Sequence, residues 1–164
     1  MALVKAYFLI AAMLMLVQLT FALPSGASTI QLVGKYWTLA VQSSVAGSEV
    51  YIMGADPHND MQVWWIIPAD VSEVYIQSKV SGLYLSPAGH NPTPENNQPL
   101  IQSNRAHAWY LDPVGDNYYI REPRLGSKNE LLYVTSSFPV TLRNASESKS
   151  VWVFDTRIPP SSCL

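Results

Sequence analysis

The feature that most constrains the fold is a pattern that occurs three times along the chain. In each copy, a tyrosine in an apolar strand is followed by a second apolar segment and then by a tryptophan two residues after a polar one. The tyrosines are 48 and 49 residues apart and the tryptophans 45 and 43. Because such repeats bury their apolar faces against one another, we expect a closed barrel of three four-stranded units with a hairpin cap. The residues are Tyr36, Tyr84 and Tyr133, and Trp64, Trp109 and Trp152.

The composition between the repeated residues is that of an all-β chain. Val, Ile, Tyr, Trp and Thr come in short runs, separated by Gly, Pro, Asn, Asp and Ser, which is typical of short strands and turns. We predict twelve strands in one domain over 23–164, with repeats at about 28–69, 70–113 and 114–157. The predicted strands are 28–32, 35–42, 48–54, 62–67, 72–78, 82–86, 98–103, 107–112, 116–121, 130–136, 139–144 and 150–156.

The N-terminal segment predicts export. Lys5 precedes an apolar run over 6–22 that ends in Thr20-Phe21-Ala22, the pattern of a secretory signal peptide over 1–22. Cleavage after Ala27 and retention as a membrane anchor are the alternatives. We expect a secreted protein that is free of the membrane after cleavage. Its single cysteine, Cys163, excludes an internal disulfide.

Charge and motif content exclude several function classes. The net charge is −2 without a basic block, which argues against a nucleic-acid partner. His58, His90 and His107 are scattered and lack the spacing of a metal site. Neither a nucleophile elbow nor a phosphate-binding glycine loop is present. We therefore predict no enzyme activity, no cofactor and no metal.

Particular motifs resemble the ricin-B-type lectins, a β-trefoil family. The start Gly34-Lys35-Tyr36, the complete Q-x-W at Gln62-Val63-Trp64 and the segment Val74-Tyr75-Ile76 … Ser81-Gly82-Leu83-Tyr84-Leu85 carry the resemblance. In the other two copies, His107 and Ser150 replace the glutamine. The resemblance covers about 28–157 and implies an all-β, β-trefoil fold and a non-catalytic, carbohydrate-binding function with a sugar or glycoprotein as partner.

The tryptophans of the repeats are predicted to form the structural core. Trp64, Trp109 and Trp152 each fall on the last strand of a repeat, where a large ring can bury about 150–250 Å² near the barrel axis. Trp65 follows Trp64 directly, so it must face the opposite side of the strand. It is either a second-layer core residue or an exposed ring available to a sugar.

The resemblance identifies the residues of the sugar site less clearly than it identifies the fold. The position of the lectin carboxylate falls at Thr38, Ser86 and Thr135, and the stacking aromatic falls near Met53, Gln102 and Arg143. Polar site residues remain only in the first repeat, so the candidate carbohydrate-binding residues are Asp56, Asn59, Asp60, Gln62 and Trp65. The competing interpretation is a polar turn, in which Gln62 only satisfies loop backbone groups.

Two other functions remain open. The third repeat also resembles fungal β-trefoil protease inhibitors, which implies a protease as partner. An inhibitor presents a preorganised loop, and the candidates are 124–129, with Arg124 or Lys128 for a trypsin-like pocket, and 90–99. A trefoil scaffold without sugar binding is the third possibility. Asn144-Ala145-Ser146 is a predicted N-glycosylation site.

Overall fold

The computed structural model of the protein describes residues 22–89 and 93–156. Most of the predicted signal peptide, His90 and Cys163 lie outside the described residues. Within those two ranges, no helix has the length and the apolar character needed to cross a membrane.

All twelve predicted strands are present, so the all-β prediction is confirmed. One 3-10 turn, Asp60–Gln62, precedes the fourth strand. The strands are β1 Gly26–Leu32, β2 Trp37–Val41, β3 Val50–Gly54, β4 Val63–Pro68, β5 Glu73–Ser78, β6 Tyr84–Pro87, β7 Leu100–Ser103, β8 Ala108–Val114, β9 Asn117–Arg121, β10 Leu132–Thr135, β11 Thr141–Asn144 and β12 Trp152–Asp155.

Six strands close into a barrel. β1 pairs with β4, β4 with β5, β5 with β8, β8 with β9, β9 with β12, and β12 returns to β1, all antiparallel. The remaining strands form three hairpins, β2–β3, β6–β7 and β10–β11. Each repeat thus contributes two barrel strands and one hairpin, which is the β-trefoil arrangement predicted from the repeat.

The three hairpins meet around residues at equivalent positions. Val50, Leu100 and Val140 are fully buried. The Val140 amide donates to the Val50 carbonyl at 3.0 Å, and the Leu100 amide donates to the Val140 carbonyl at 2.8 Å. Backbone pairing between repeats therefore closes the cap and satisfies polar groups that the core would otherwise leave unpaired.

Three tryptophans occupy the core with the same hydrogen bond in each repeat. Trp64 on β4, Trp109 on β8 and Trp152 on β12 have no exposed surface. Their indole Nε1 groups donate to the carbonyls of Leu39, Leu85 and Val134 at 3.0, 3.1 and 3.4 Å. A buried indole N–H needs an acceptor, and each of these comes from the second strand of the same repeat. The hydrogen bonds of the indoles therefore connect each hairpin to the barrel.

Candidate functional site

Gln62 organises the loop that holds most of the predicted sugar-binding residues. Its side chain is buried. Gln62 Oε1 accepts from the Asp56 amide at 2.8 Å, and Nε2 donates to the Gly54 carbonyl at 2.7 Å. The glutamine of the Q-x-W motif thus satisfies two backbone groups that no strand partner reaches. The structure gives Gln62 the structural role that the sequence left open.

The polar residues of the same loop combine exposure with fixed positions. Asp56 is exposed, and its Oδ1 accepts from the His58 amide at 3.0 Å. Asn59 begins the 3-10 turn and accepts from the Met61 amide at 3.0 Å. The Asp60 carboxylate pairs with Lys79 Nζ at 2.8 Å. These bonds restrict the turn, as Asp and Asn commonly do, and still leave two exposed carboxylate groups on one loop.

Two exposed aromatic residues that the sequence reasoning missed lie beside this loop. The Tyr36 carbonyl accepts from the Ala55 amide at 3.0 Å, and Trp37 pairs across the hairpin with Gly54. The exposed fractions are 90% for Tyr36 and 46% for Trp37. The rest of β2 is buried, including Leu39 on the same side of the strand as Trp37. Trp37 is exposed because it lies at the open end of the β2–β3 hairpin, and no pattern in the sequence indicated it. We call Tyr36, Trp37, Asp56, Asn59 and Asp60 the first-repeat face.

Trp65 is an exposed ring on the barrel wall. It is 42% exposed. Its neighbours across the sheet are Ala27 on β1 and Gln77 on β5. Ala27 is too small to cover an indole, so the ring stays accessible. The sequence left open whether Trp65 is a second-layer core residue or an exposed ring, and in the structure it is an exposed ring.

Two of the three positions that correspond to lectin carboxylates are interior, and the third, Ser86, is half-buried. Thr38 is fully buried, and its cross-strand partner is Met53. Thr135 is buried, and its hydroxyl donates to the Thr141 carbonyl at 3.2 Å. Gln102 is also buried, and its amide oxygen accepts from the Ser81 hydroxyl at 2.6 Å. Thr135 and Gln102 bond within the chain, the Thr38 hydroxyl is buried without a hydrogen-bond partner, and none of the three offers surface to a sugar.

In the second repeat, the residue that replaces the Q-x-W glutamine bonds to a buried carboxylate. His107 Nε2 lies 2.8 Å from Glu122 Oε2, and Arg124 Nε donates to Glu122 Oε1 at 2.7 Å. Glu122 is fully buried. Burial alone would raise the pKa of Glu122, but the hydrogen bonds and charges of His107 and Arg124 hold that pKa below its ordinary value. Arg124 is therefore anchored to the protein at its guanidinium group.

Lys128 lies in a compact turn. The Gly126 amide donates to the Glu130 carbonyl and the Asn129 amide to the Gly126 carbonyl, both at 2.8 Å, and Asn129 has φ of 61°. The Ser127 amide donates to the Pro94 carbonyl at 3.2 Å, so the two segments proposed as inhibitor loops touch.

Within 22–89 and 93–156, no three His, Cys, Asp or Glu side chains are grouped so that they can hold a metal ion.

Substitution of Gln62 by alanine is expected to lower the free energy of unfolding by about 2 kcal/mol. The change leaves the Asp56 amide and the Gly54 carbonyl without partners in a partly buried place, and each unsatisfied group costs about 1–3 kcal/mol before water reaches it. Urea unfolding measures the effect, with His58→Ala as the control, because the His58 side chain is exposed on the same loop. Equal stability of Gln62→Ala and wild type contradicts the structural role.

Comparison with known proteins finds likeness in three-dimensional structure. No family model matches the sequence, and no curated protein matches it. A designed threefold-symmetric protein, ThreeFoil, superposes with a TM-score of 0.63 at 17% identity, over 79% of this chain and 98% of that one. The Rhizoctonia solani agglutinin superposes with a TM-score of 0.65 at 18% identity, over 82% and 96%.

A third similar structure contains a bound sugar. The Polyporus squamosus lectin bound to the human-type influenza-binding epitope Neu5Acα2-6Galβ1-4GlcNAc superposes with a TM-score of 0.59 at 17% identity, over 79% of this chain and 48% of the lectin. An exo-β-1,3-galactanase from Clostridium thermocellum and the Haemophilus ducreyi cytolethal distending toxin share the fold as well. Likeness at this identity establishes a fold, and the fold of this chain is the β-trefoil.

Proposed function

We propose that this protein is a secreted, non-catalytic module that binds carbohydrate on the first-repeat face. The observation that carries the proposal is the placement of the half-exposed Trp37 ring across the hairpin from Gly54, next to the loop with Asp56 and Asp60. Sugars have an apolar C–H face and a rim of hydroxyls. An aromatic ring next to carboxylate and amide groups complements both.

The rigidity of the loop supports the same function. Gln62, Asp56 and Asn59 fix the backbone of the loop through hydrogen bonds of 2.7–3.0 Å. A loop already ordered in the free protein loses little conformational entropy when a ligand binds. Weak, shallow contacts of the kind that single sugar rings make then still yield measurable affinity.

The structural neighbours support a carbohydrate partner in general terms. A lectin with a bound sialylated epitope and an agglutinin have this fold, and so do a galactanase and a toxin. Because one fold hosts different functions, the argument for sugar binding depends on the exposed rings and carboxylates of this chain. The sequence motifs Gly34-Lys35-Tyr36 and Gln62-Val63-Trp64 add to it.

A glycan array followed by titration calorimetry of the best ligand tests the proposal. Trp37→Ala is expected to weaken binding at least about tenfold, because loss of about 1.4 kcal/mol of ring burial corresponds to that factor. Asp56→Ala is expected to weaken it as well. Phe138→Ala is the matched control, since Phe138 is a ring 70% exposed at another place.

The outcomes separate the alternatives. Absence of saturable binding to any glycan contradicts the proposal. Loss of binding in Trp65→Ala together with full binding in Trp37→Ala moves the site to the barrel wall and contradicts the first-repeat face. Inhibition of trypsin, subtilisin or papain at micromolar protein that is lost in Lys128→Ala supports the inhibitor function instead. Lys128 is exposed on a turn that the bond between Ser127 and Pro94 braces, which is the observation in favour of that alternative.

A further inference from the structure

A surface hollow beside the predicted glycosylation site has a composition suited to one sugar ring. Its volume is about 330 Å³, at the small end of the range of ligand sites, about 300–1,000 Å³. Leu131 is 41% exposed there, and with Ala145 it provides the apolar part of the lining. The polar lining comes from Lys128, Glu130, Asn144 and Ser146.

The sequon has a fixed conformation at the edge of this hollow. Asn144 ends β11. Its side-chain oxygen accepts from the Ser146 hydroxyl at 2.8 Å and from the Glu147 amide at 3.0 Å. Its side-chain nitrogen donates to Glu147 Oε1 at 3.1 Å. The Asn144 amide donates to Asn96 at 3.1 Å, which ties the turn to the neighbouring loop. The carboxamide is therefore held in place before any sugar is attached.

We propose that Asn144 carries an N-linked glycan and that the first N-acetylglucosamine of this glycan occupies the hollow. The inference rests on the predicted export of the chain and not on sugar binding by the first-repeat face. The donor is an oligosaccharide on a lipid diphosphate. A bond forms between Asn144 Nδ2 and C1 of the sugar, the bond from C1 to the diphosphate oxygen breaks, and the lipid diphosphate leaves with the electron pair. The amide nitrogen keeps one proton and loses the other, which the departing diphosphate takes up.

The chemistry of the lining fits this occupant. The acetamido methyl group and the C–H face of the ring pack on Leu131 and Ala145, and hydroxyl groups bond to Lys128 and Glu130. A sugar attached to a residue of the lining has an effective concentration in the millimolar range. Contacts too weak to bind a free monosaccharide are therefore sufficient to hold this one. A glycan in this position covers the approach to Lys128.

The test compares two forms of the full chain secreted by one yeast. One form is trimmed by an endoglycosidase that leaves a single N-acetylglucosamine, and the other is secreted while synthesis of the lipid-linked donor is inhibited. Mass spectrometry is expected to find the sugar on Asn144. We expect the single sugar to raise the melting temperature by about 2–4 °C and to slow amide hydrogen exchange over 128–131. A chain that is not exported, an unmodified Asn144 or equal melting of the two forms overturns the proposal.

Two leucine variants test the position of the sugar. Leu131→Ser is expected to lose most of the sugar-dependent rise in melting temperature. Leu125→Ser is the matched control, because Leu125 is 46% exposed and does not line the hollow. The rise is expected to persist in that variant. Persistence of the full rise in Leu131→Ser shows that the sugar lies elsewhere and overturns the proposal, whatever the first-repeat face binds.

Discussion

Replacement of Trp109 by alanine is expected to lower the free energy of unfolding by about 3–5 kcal/mol. The ring has no exposed surface, so its removal leaves a cavity in the barrel. The change also leaves the Leu85 carbonyl without the indole N–H that it accepts from at 3.1 Å. Because a domain of this kind has a total stability of about 5–15 kcal/mol, the loss is a large share. Urea unfolding followed by circular dichroism measures it.

The matched control for this substitution is Trp65→Ala. Trp65 is 42% exposed on the outside of the barrel, so we expect a loss of about 1 kcal/mol or less. Comparable losses in Trp64→Ala and Trp152→Ala are expected from the pseudo-threefold arrangement. If Trp109→Ala and Trp65→Ala prove equally stable, the description of the core is wrong.

The second large effect is expected at Glu122. Glu122→Gln removes the charge that bonds to His107 and Arg124 at 2.8 and 2.7 Å in a fully buried place. Hydrogen bonds to charged groups contribute about 1.5–3 kcal/mol each, and both partners are partly solvated. We therefore expect a loss of about 3 kcal/mol at pH 7, measured by urea unfolding.

The stability that Glu122 contributes is expected to depend on pH in a definite direction. The pKa of Glu122 is lower in the folded protein than its ordinary value, which is about 4.3. The contribution of the carboxylate to stability is then present above that value and disappears as the pH falls through the folded pKa. The difference between wild type and Glu122→Gln is expected to shrink below about pH 4. A difference that is the same at pH 7 and pH 3 contradicts the ionic role.

An exposed ion pair serves as the control for Glu122. Asp60 and Lys79 lie 2.8 Å apart, with side chains 51% and 29% exposed. Exposed pairs of this kind contribute about 0–1 kcal/mol, so Asp60→Asn is expected to unfold almost like the wild type. The two carboxylates thus differ in burial and not in the distance to their partners.

The sequence predicted interior positions wherever large apolar residues recur at a regular spacing. The spacing of Trp64, Trp109 and Trp152 anticipated three repeats, and short runs of β-forming residues between turn residues anticipated all twelve strands. Such a pattern predicts burial because every repeat needs the same large ring at the same place in the core. The role of the Q-x-W glutamine was harder to predict, because Gln62 could either bind a ligand or bond to the backbone of its loop. Only its two hydrogen-bond partners, which come from residues six and eight positions away, give it the structural role.

The grouping of exposed rings and the contacts between charged residues depended on neighbours that the sequence does not reveal. Trp37 and the loop around Asp56 are brought together by the β2–β3 hairpin and the bond from Ala55 to Tyr36. His107 and Glu122 are 15 residues apart and meet because β8 pairs with β9.

By itself, the sequence determined the all-β architecture, the number of strands and the candidates for the core, because these follow from the period and position of large apolar residues along the chain. The tertiary structure decided which aromatic rings are exposed, which polar side chains bond within the protein and which residues share a surface. Those properties arise from contacts between distant segments, and local patterns contain no information about such contacts until the barrel closes.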